Sequence, residues 1–290
     1  MKYGYYPGCS LKSTAFEYDK SLVKVFNHLG AELKEVDDWV CCGASAAHST
    51  SQGAGTLLPL KILSLYEKEG IKDVIVPCAA CFSRFKTAVH EVGESAEKKK
   101  LYDGIIGHEY KGSVEIKHPI EALLKDFKKK DLEEKVVRKL DNISVVCFYG
   151  CLLTRPPKIM KFDEPEYPMM MDKLIGTTGI KSLDWCFKTD CCGVSLSLSR
   201  TDIVLNLTNR ILSEAIKVGA DAVVVACPLC HSNLDTRQKD IEKAYNKKLG
   251  IPILYFSQVL GLAYGMTPKE LGITNHLTDA MSMLKNKGFV

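Results

Sequence analysis

The sequence predicts an α/β protein made of two pseudo-symmetric repeats of parallel-sheet strand–helix units, with metal sites at the carboxyl ends of strands and at the interface between the repeats. Three observations predict it. Five cysteine positions recur in the second half of the chain at offsets of 142, 150, 150, 149 and 149 residues. Such internal duplication outranks any local reading of the fold. Short apolar runs that end in Cys-x-x-Cys alternate with helical stretches, and strand–helix alternation implies parallel sheets. The length of 290 residues, with 46% hydrophobic and 26% charged residues, is that of an ordinary soluble protein of about two domains.

The elements follow in order. Thr14-x-x-Glu17 reads as a capping box. Leu22, Val25, Phe26 and Leu29 then recur at helical spacing until Gly30 stops the helix. Gly70 closes another helical stretch, and residues 71–77 form a buried strand leading into Cys78. Gly219, residues 220–226 and Cys227 repeat that arrangement. Each Cys-x-x-Cys therefore stands where a strand ends and a helix begins. Residues 114–118 and 251–255 match as late strands before helices, with Ser257 as a cap for the second. Residues from about 94 to 142 contain the join, and their runs Lys98–Lys100 and Lys128–Lys130 read as solvated helix faces. The boundary falls near Asn142, before a strand at 143–147, giving repeats 1–142 and 143–290. Between Cys151 and Cys191 an insertion reads as a loop, with Pro156, Pro157, Pro165, Pro168 and the run Met169–Met171. In parallel sheets ligands gather at strand carboxyl ends, which is where Cys9, Cys78, Cys147, Cys151 and Cys227 are expected.

The formal charge of +4 is too small and scattered to mark a nucleic-acid surface, and it suits a small anionic substrate. No apolar run approaches the 18 or so residues of a membrane span. Residues 1–9 have no apolar core of a signal peptide. The expectation is a cytoplasmic protein with no nucleic-acid or membrane partner.

The twelve cysteines are the anomaly. A reducing cytosol argues against a disulfide framework. Cys147 and Cys186 lie outside the repeat and read as packing residues. The other ten are Cys9, Cys41, Cys42, Cys78 and Cys81, then Cys151, Cys191, Cys192, Cys227 and Cys230. Flanking residues repeat too: Gly8 answers Gly150, and Gly43-Ala44-Ser45 answers Gly193-Val194-Ser195. Structural zinc takes four ligands and leaves a fifth thiolate idle. A thioredoxin-like pair uses only two. Ferredoxin cubanes use tight cysteine runs that are absent here. Five widely spaced thiolates per repeat favour an unusual iron–sulfur centre, with zinc in at least one repeat as the alternative. The glycine after each cysteine pair permits a sharp turn and brings amides toward cluster sulfurs.

On these residues the chain resembles the CCG, or cysteine-rich, domain in two copies, and as a whole the B-type subunits of heterodisulfide reductases (CoB–CoM heterodisulfide reductase) from methanogenic archaea. That resemblance implies two noncubane [4Fe-4S] clusters, one on each set of five cysteines. The implied activity is reduction of the heterodisulfide of coenzyme M and coenzyme B to the two thiols, the final step of methanogenesis, each cluster delivering one electron and binding one thiolate. The implied partners are a ferredoxin-like C-type subunit with two cubanes and a flavin-carrying A-type subunit of an electron-bifurcating complex, with a [NiFe] hydrogenase in hydrogen-fed versions. CCG domains also occur in electron-transfer subunits of glycolate, lactate, succinate and fumarate oxidoreductases, which is the alternative function. Because the implied substrate is anionic, Arg84, Arg155, His48 and His231 are candidate guiding residues, and His231, next to Cys230, is a candidate for supporting the cluster or donating a proton; the sequence does not assign the proton donor. Phe82 holds the matching place in the first repeat. Each of the four also has an ordinary reading as a surface, helix or packing residue.

Overall fold

A computed structural model describes residues 1–44 and 47–289, with Gln52 described by its backbone alone. It contains two four-stranded, all-parallel sheets. The first holds β1 (Lys2–Tyr5), β2 (Glu32–Lys34), β3 (Asp73–Ile75) and β4 (Glu115–Lys117) in the order β2-β1-β3-β4. The second holds β5 (Ser144–Phe148), β6 (Lys181–Ser182), β7 (Ala222–Val225) and β8 (Ile253–Tyr255) in the order β6-β5-β7-β8. The central strands are buried on both faces, as parallel strands covered by helices must be; every residue of β7 is fully buried.

In each sheet the chain leaves the first strand for one neighbour, then returns to pair on its other side. This reversal of strand order makes a crevice at the carboxyl ends. Cys9 and Cys78 follow the two strands that flank the reversal in the first sheet. Cys151 and Cys227 do the same in the second.

The halves are interlocked. Helix Phe256–Ala263 packs on helix Phe16–His28, and helix Pro119–Lys125 on helix Met170–Gly176. The insertion contributes helix Pro157–Met160, which lies on helix Ala79–Glu94 of the first half. Phe162 is buried there against Phe82 and His118. The insertion therefore seals the join.

Several expectations are corrected. Helix Phe16–His28 has Ala15 at its N-cap and no side-chain cap bond, so Thr14 and Glu17 form no capping box. Glu17 is drawn inward to the join instead. Ser257 caps nothing; its Oγ lies 2.7 Å from Ser21 Oγ across the join, and Tyr255 is the N-cap. Met170 and Met171 begin helix Met170–Gly176 and are not loop residues. Cys147 lies inside β5, its sulfur 3.7 Å from Ser182 Oγ, and not at a strand end. The edge strands β2 and β6 were not foreseen. Both lysine runs lie on helices, Ala96–Ile106 and Lys129–Glu134, and are largely exposed. Ser45 lies outside the described residues.

Candidate metal centre

Each Cys-x-x-Cys opens a helix: Cys78 is the N-cap of helix Ala79–Glu94 and Cys227 that of helix Pro228–Thr236. The Phe82 N–H donates to Cys78 O at 2.8 Å, and the His231 N–H to Cys227 O at 3.0 Å, closing the same first turn in both halves. A helix N-terminus favours the thiolate form. Cys9 lies in helix Gly8–Leu11, which touches the Cys-x-x-Cys helix of the other half.

In each half, glycine brings the loop after the first strand onto that half's own Cys-x-x-Cys helix. Gly8 and Gly150 have φ of 67° and 70°. A Cβ on Gly8 would lie 3.3 Å from Cys81 Sγ, and one on Gly150 only 2.9 Å from Cys230 Sγ. Gly43 and Gly193 are also left-handed, and their N–H groups donate to Cys41 and Cys191 Sγ at 3.4 and 3.3 Å.

The sulfurs are gathered accordingly. Cys42 and Cys81 Sγ are 3.1 Å apart, and Cys192 and Cys230 Sγ 3.6 Å. Cys41 and Cys42, and Cys81 and Cys78, act on each other's protonation, and Cys9 acts on that of Cys41. In the second half Cys151 and Cys191, and Cys230 and Cys227, act on each other in the same way. Between the halves, the thiols of Cys78 and Cys227 act on each other's protonation, Cys78 being raised and Cys227 lowered. The ten repeated cysteines thus form two sets that meet at the join. Cys147 and Cys186 belong to neither; Cys186 is exposed.

Neighbouring thiols trade protons, so thiolates appear in each set. Cys42 is held down to about 3, first by the hydrogen bond from Cys41, then by Cys81, the Ala44 N–H and the Arg84 charge. Cys191 is lowered to about 6, first by the Cys151 thiol and then by the Gly193 N–H. Cys227 is lowered by Cys230 and Cys78, while their hydrogen bonds and burial raise Cys81 and Cys230. Soft thiolate donors, amides aimed at sulfur and glycine-cleared space fit an iron–sulfur cluster in each half.

The four other candidates are spread out. Arg84 is half-buried beside Cys42, with Nη1 next to Gly55. His48 is exposed, its Nδ1 3.3 Å from Gly43 O. Arg155 is already engaged, with Glu166 at 2.6 Å and Thr189 O and Oγ1 at 3.3 and 3.2 Å. His231 is buried; its Nε2 is 3.2 Å from Ile253 O and its ring stacks on Tyr255 at 4.3 Å. Ligand atoms of Glu17, His231 and His276 lie within 4.8 Å of one another. The protein's own bonds already occupy part of this group, since the Gln258 amide donates to His276 Nε2 at 3.0 Å.

Sequence reasoning missed His118. This fully buried side chain lies at the join, with Nε2 3.1 Å from Pro77 O and 3.3 Å from Ala226 O. Its signal was the residue pattern around it. His118 precedes Pro119 and Glu121 as Tyr255 precedes Phe256 and Gln258; both are N-caps, and each donates its own N–H to the side chain three residues on, Glu121 and Gln258.

A family model for the cysteine-rich domain, CCG, matches residues 3–86 and 145–235. The chain belongs to the CCG family. Both matched segments contain their full set of five cysteines. This CCG protein is 30% identical over 97% of its length to the 8-methylmenaquinol:fumarate reductase membrane anchor subunit of Wolinella succinogenes, covering 99% of that protein. It is also 30% identical over 96% of its length to the B subunit of ferredoxin:CoB-CoM heterodisulfide reductase from Methanosarcina mazei, covering 94% of it. A crystal structure of a hypothetical protein from Helicobacter pylori superposes on 97% of the chain with a TM-score of 0.76 at 12% identity. The chain spans about half, 52%, of that structure, which supports the α/β fold alone. Among the described residues, no helix is long and apolar enough to cross a membrane.

Proposed function

We propose that this CCG protein is the disulfide-reducing subunit of a heterodisulfide reductase-type complex, with repeats 1–142 and 143–290 each holding one noncubane [4Fe-4S] cluster on its five cysteines. The observation that carries this reading is that His118 bridges Pro77 O and Ala226 O, the carbonyls just before Cys78 and Cys227, so that the two cysteine sets meet at the join. Breaking one S–S bond into two thiols takes two electrons and two protons. When bound, iron–sulfur clusters supply single electrons and a Lewis-acidic iron for a departing thiolate.

The chain's own groups do the rest. Arg84 places positive charge beside the first set, where an anionic substrate end and new thiolate gain from it. In the second half the corresponding position is Asn233, whose amide donates to Cys192 O at 2.8 Å and fixes that loop. Arg155 braces the insertion to the loop before Cys191 through Glu166 and Thr189. His231 is held neutral by burial. Its Nε2–H faces Ile253 O, which orients the ring behind Cys230.

The proposed substrate is the coenzyme M–coenzyme B heterodisulfide, and the proposed setting is cytoplasmic. A flavin-carrying A-type subunit and a C-type subunit with two cubanes would supply electrons, with a [NiFe] hydrogenase upstream. The support is the relative in Methanosarcina mazei. The relative in Wolinella succinogenes, equal in identity, favours a second reading: an electron-transfer subunit of a quinol–fumarate type system.

One assay separates the two. Anaerobically purified protein, reduced with a low-potential viologen, is offered either the heterodisulfide or a menaquinone analogue. Rapid formation of both thiols supports the first reading. Oxidation by the quinone alone supports the second.

A further inference from the structure

One side chain touches both places where a central strand hands over to its Cys-x-x-Cys. His118 Nε2 is within 3.3 Å of Pro77 O and of Ala226 O, the carbonyls just before Cys78 and Cys227. The tautomer is fixed by the other ring nitrogen. Nδ1 accepts from the Ile120 N–H at 3.3 Å, so the proton sits on Nε2 and is shared between the two carbonyls. Burial lowers the His118 pKa to about 4, which keeps a single donor at neutral pH. The ring is wedged against Phe82 at 5.8 Å, Phe162 at 5.6 Å and Phe256 at 6.3 Å, so it has little freedom to turn away. Tyr255, its counterpart in the second half, keeps the same cap geometry but stacks between Tyr18 and His231. The bridge is therefore built from one side.

We propose that His118 is a positioning residue that sets the register of the two metal sites, its shared Nε2–H tying together the strand ends that lead into Cys78 and Cys227. The consequence for catalysis rests on the paired-site function proposed above. The register itself does not, and it is measurable without metal.

The test uses the full-length, iron-free chain treated anaerobically with diamide. Cys78 and Cys227 each lose a proton and an electron as an S–S bond forms, and the diamide gains both electrons and both protons as its N=N bond becomes N–N. Peptide mapping then gives the yield of the Cys78–Cys227 link relative to Cys227–Cys230. His118→Phe keeps an aromatic ring and removes the donor; His118→Asn keeps a capping side chain and shortens its reach. Each should lower the cross-repeat link by about fivefold, the share carried by one hydrogen bond. His118→Gln, which returns an N–H at similar reach, should restore most of it. In the iron-loaded chain, magnetic coupling between the two centres should weaken in His118→Phe while each centre keeps its own spectrum. Wild-type link yield in both His118→Phe and His118→Asn would overturn the proposal. A reduced link with undiminished heterodisulfide reduction would uphold the register and count against the paired-site function instead.

Discussion

The two halves share a backbone plan and differ in what surrounds the sulfurs. Both place a positive-φ glycine against the second cysteine of the Cys-x-x-Cys. Both end their last strand in a capping residue at φ −74° and ψ 146°. Around that plan, His118 meets Phe82 in the first half, whereas Tyr255 meets His231 in the second. Arg84 stands beside Cys42, whereas Asn233 ties down Cys192. The two repeats keep the cysteine geometry, and the neighbouring residues differ. Such a difference is what two sites require if each receives a different end of an asymmetric disulfide.

The largest expected effect removes one thiolate from either half. Cys42→Ala and Cys192→Ala should each abolish heterodisulfide reduction while the iron of the intact repeat remains. The double mutant should be little worse than either single one, because groups acting as a unit are strongly non-additive. Activity and iron measured together check this. Substantial activity in one mutant would make that half an electron relay and the halves unequal in kind.

A smaller effect distinguishes the halves by space. Gly150→Ala places a Cβ 2.9 Å from Cys230 Sγ at a φ of 70°, against 3.3 Å from Cys81 Sγ for Gly8→Ala. Gly150→Ala should cost about 1–3 kcal/mol and empty the second site of iron first. Gly8→Ala should do less, since its neighbour has to yield less. Urea unfolding with iron analysis reads both; equal losses would mean that backbone strain alone decides.

The smallest effect concerns charge. Arg84→Asn makes the first half resemble the second. Loss of one positive charge at partial burial should lower the first centre's reduction potential by several tens of millivolts, about 1–2 kcal/mol. The second centre should not move. Potentiometry followed by electron paramagnetic resonance separates them, and a shift confined to the second centre would reverse the assignment of Arg84.

The cysteine plan was legible because packing alone gives five thiols no reason to recur in the same order and at nearly the same spacing, and strand-end placement follows from parallel-sheet topology. Caps were less legible. Thr14 and Glu17 match a local pattern, but the join draws Glu17 inward and the helix starts at Phe16 without it. Strands β2 and β6 are only three and two residues long, too short to show periodicity. The pattern around His118 marks it only as a cap matching Tyr255; its reach to a carbonyl 108 positions away is something no local pattern records.

The most direct test of the central claim is the iron, acid-labile sulfide and zinc content of anaerobically purified protein. Two four-iron centres predict about eight irons with matching sulfide and no zinc. One centre plus zinc, or zinc without iron, would contradict the account, because two one-electron sites would no longer face one disulfide.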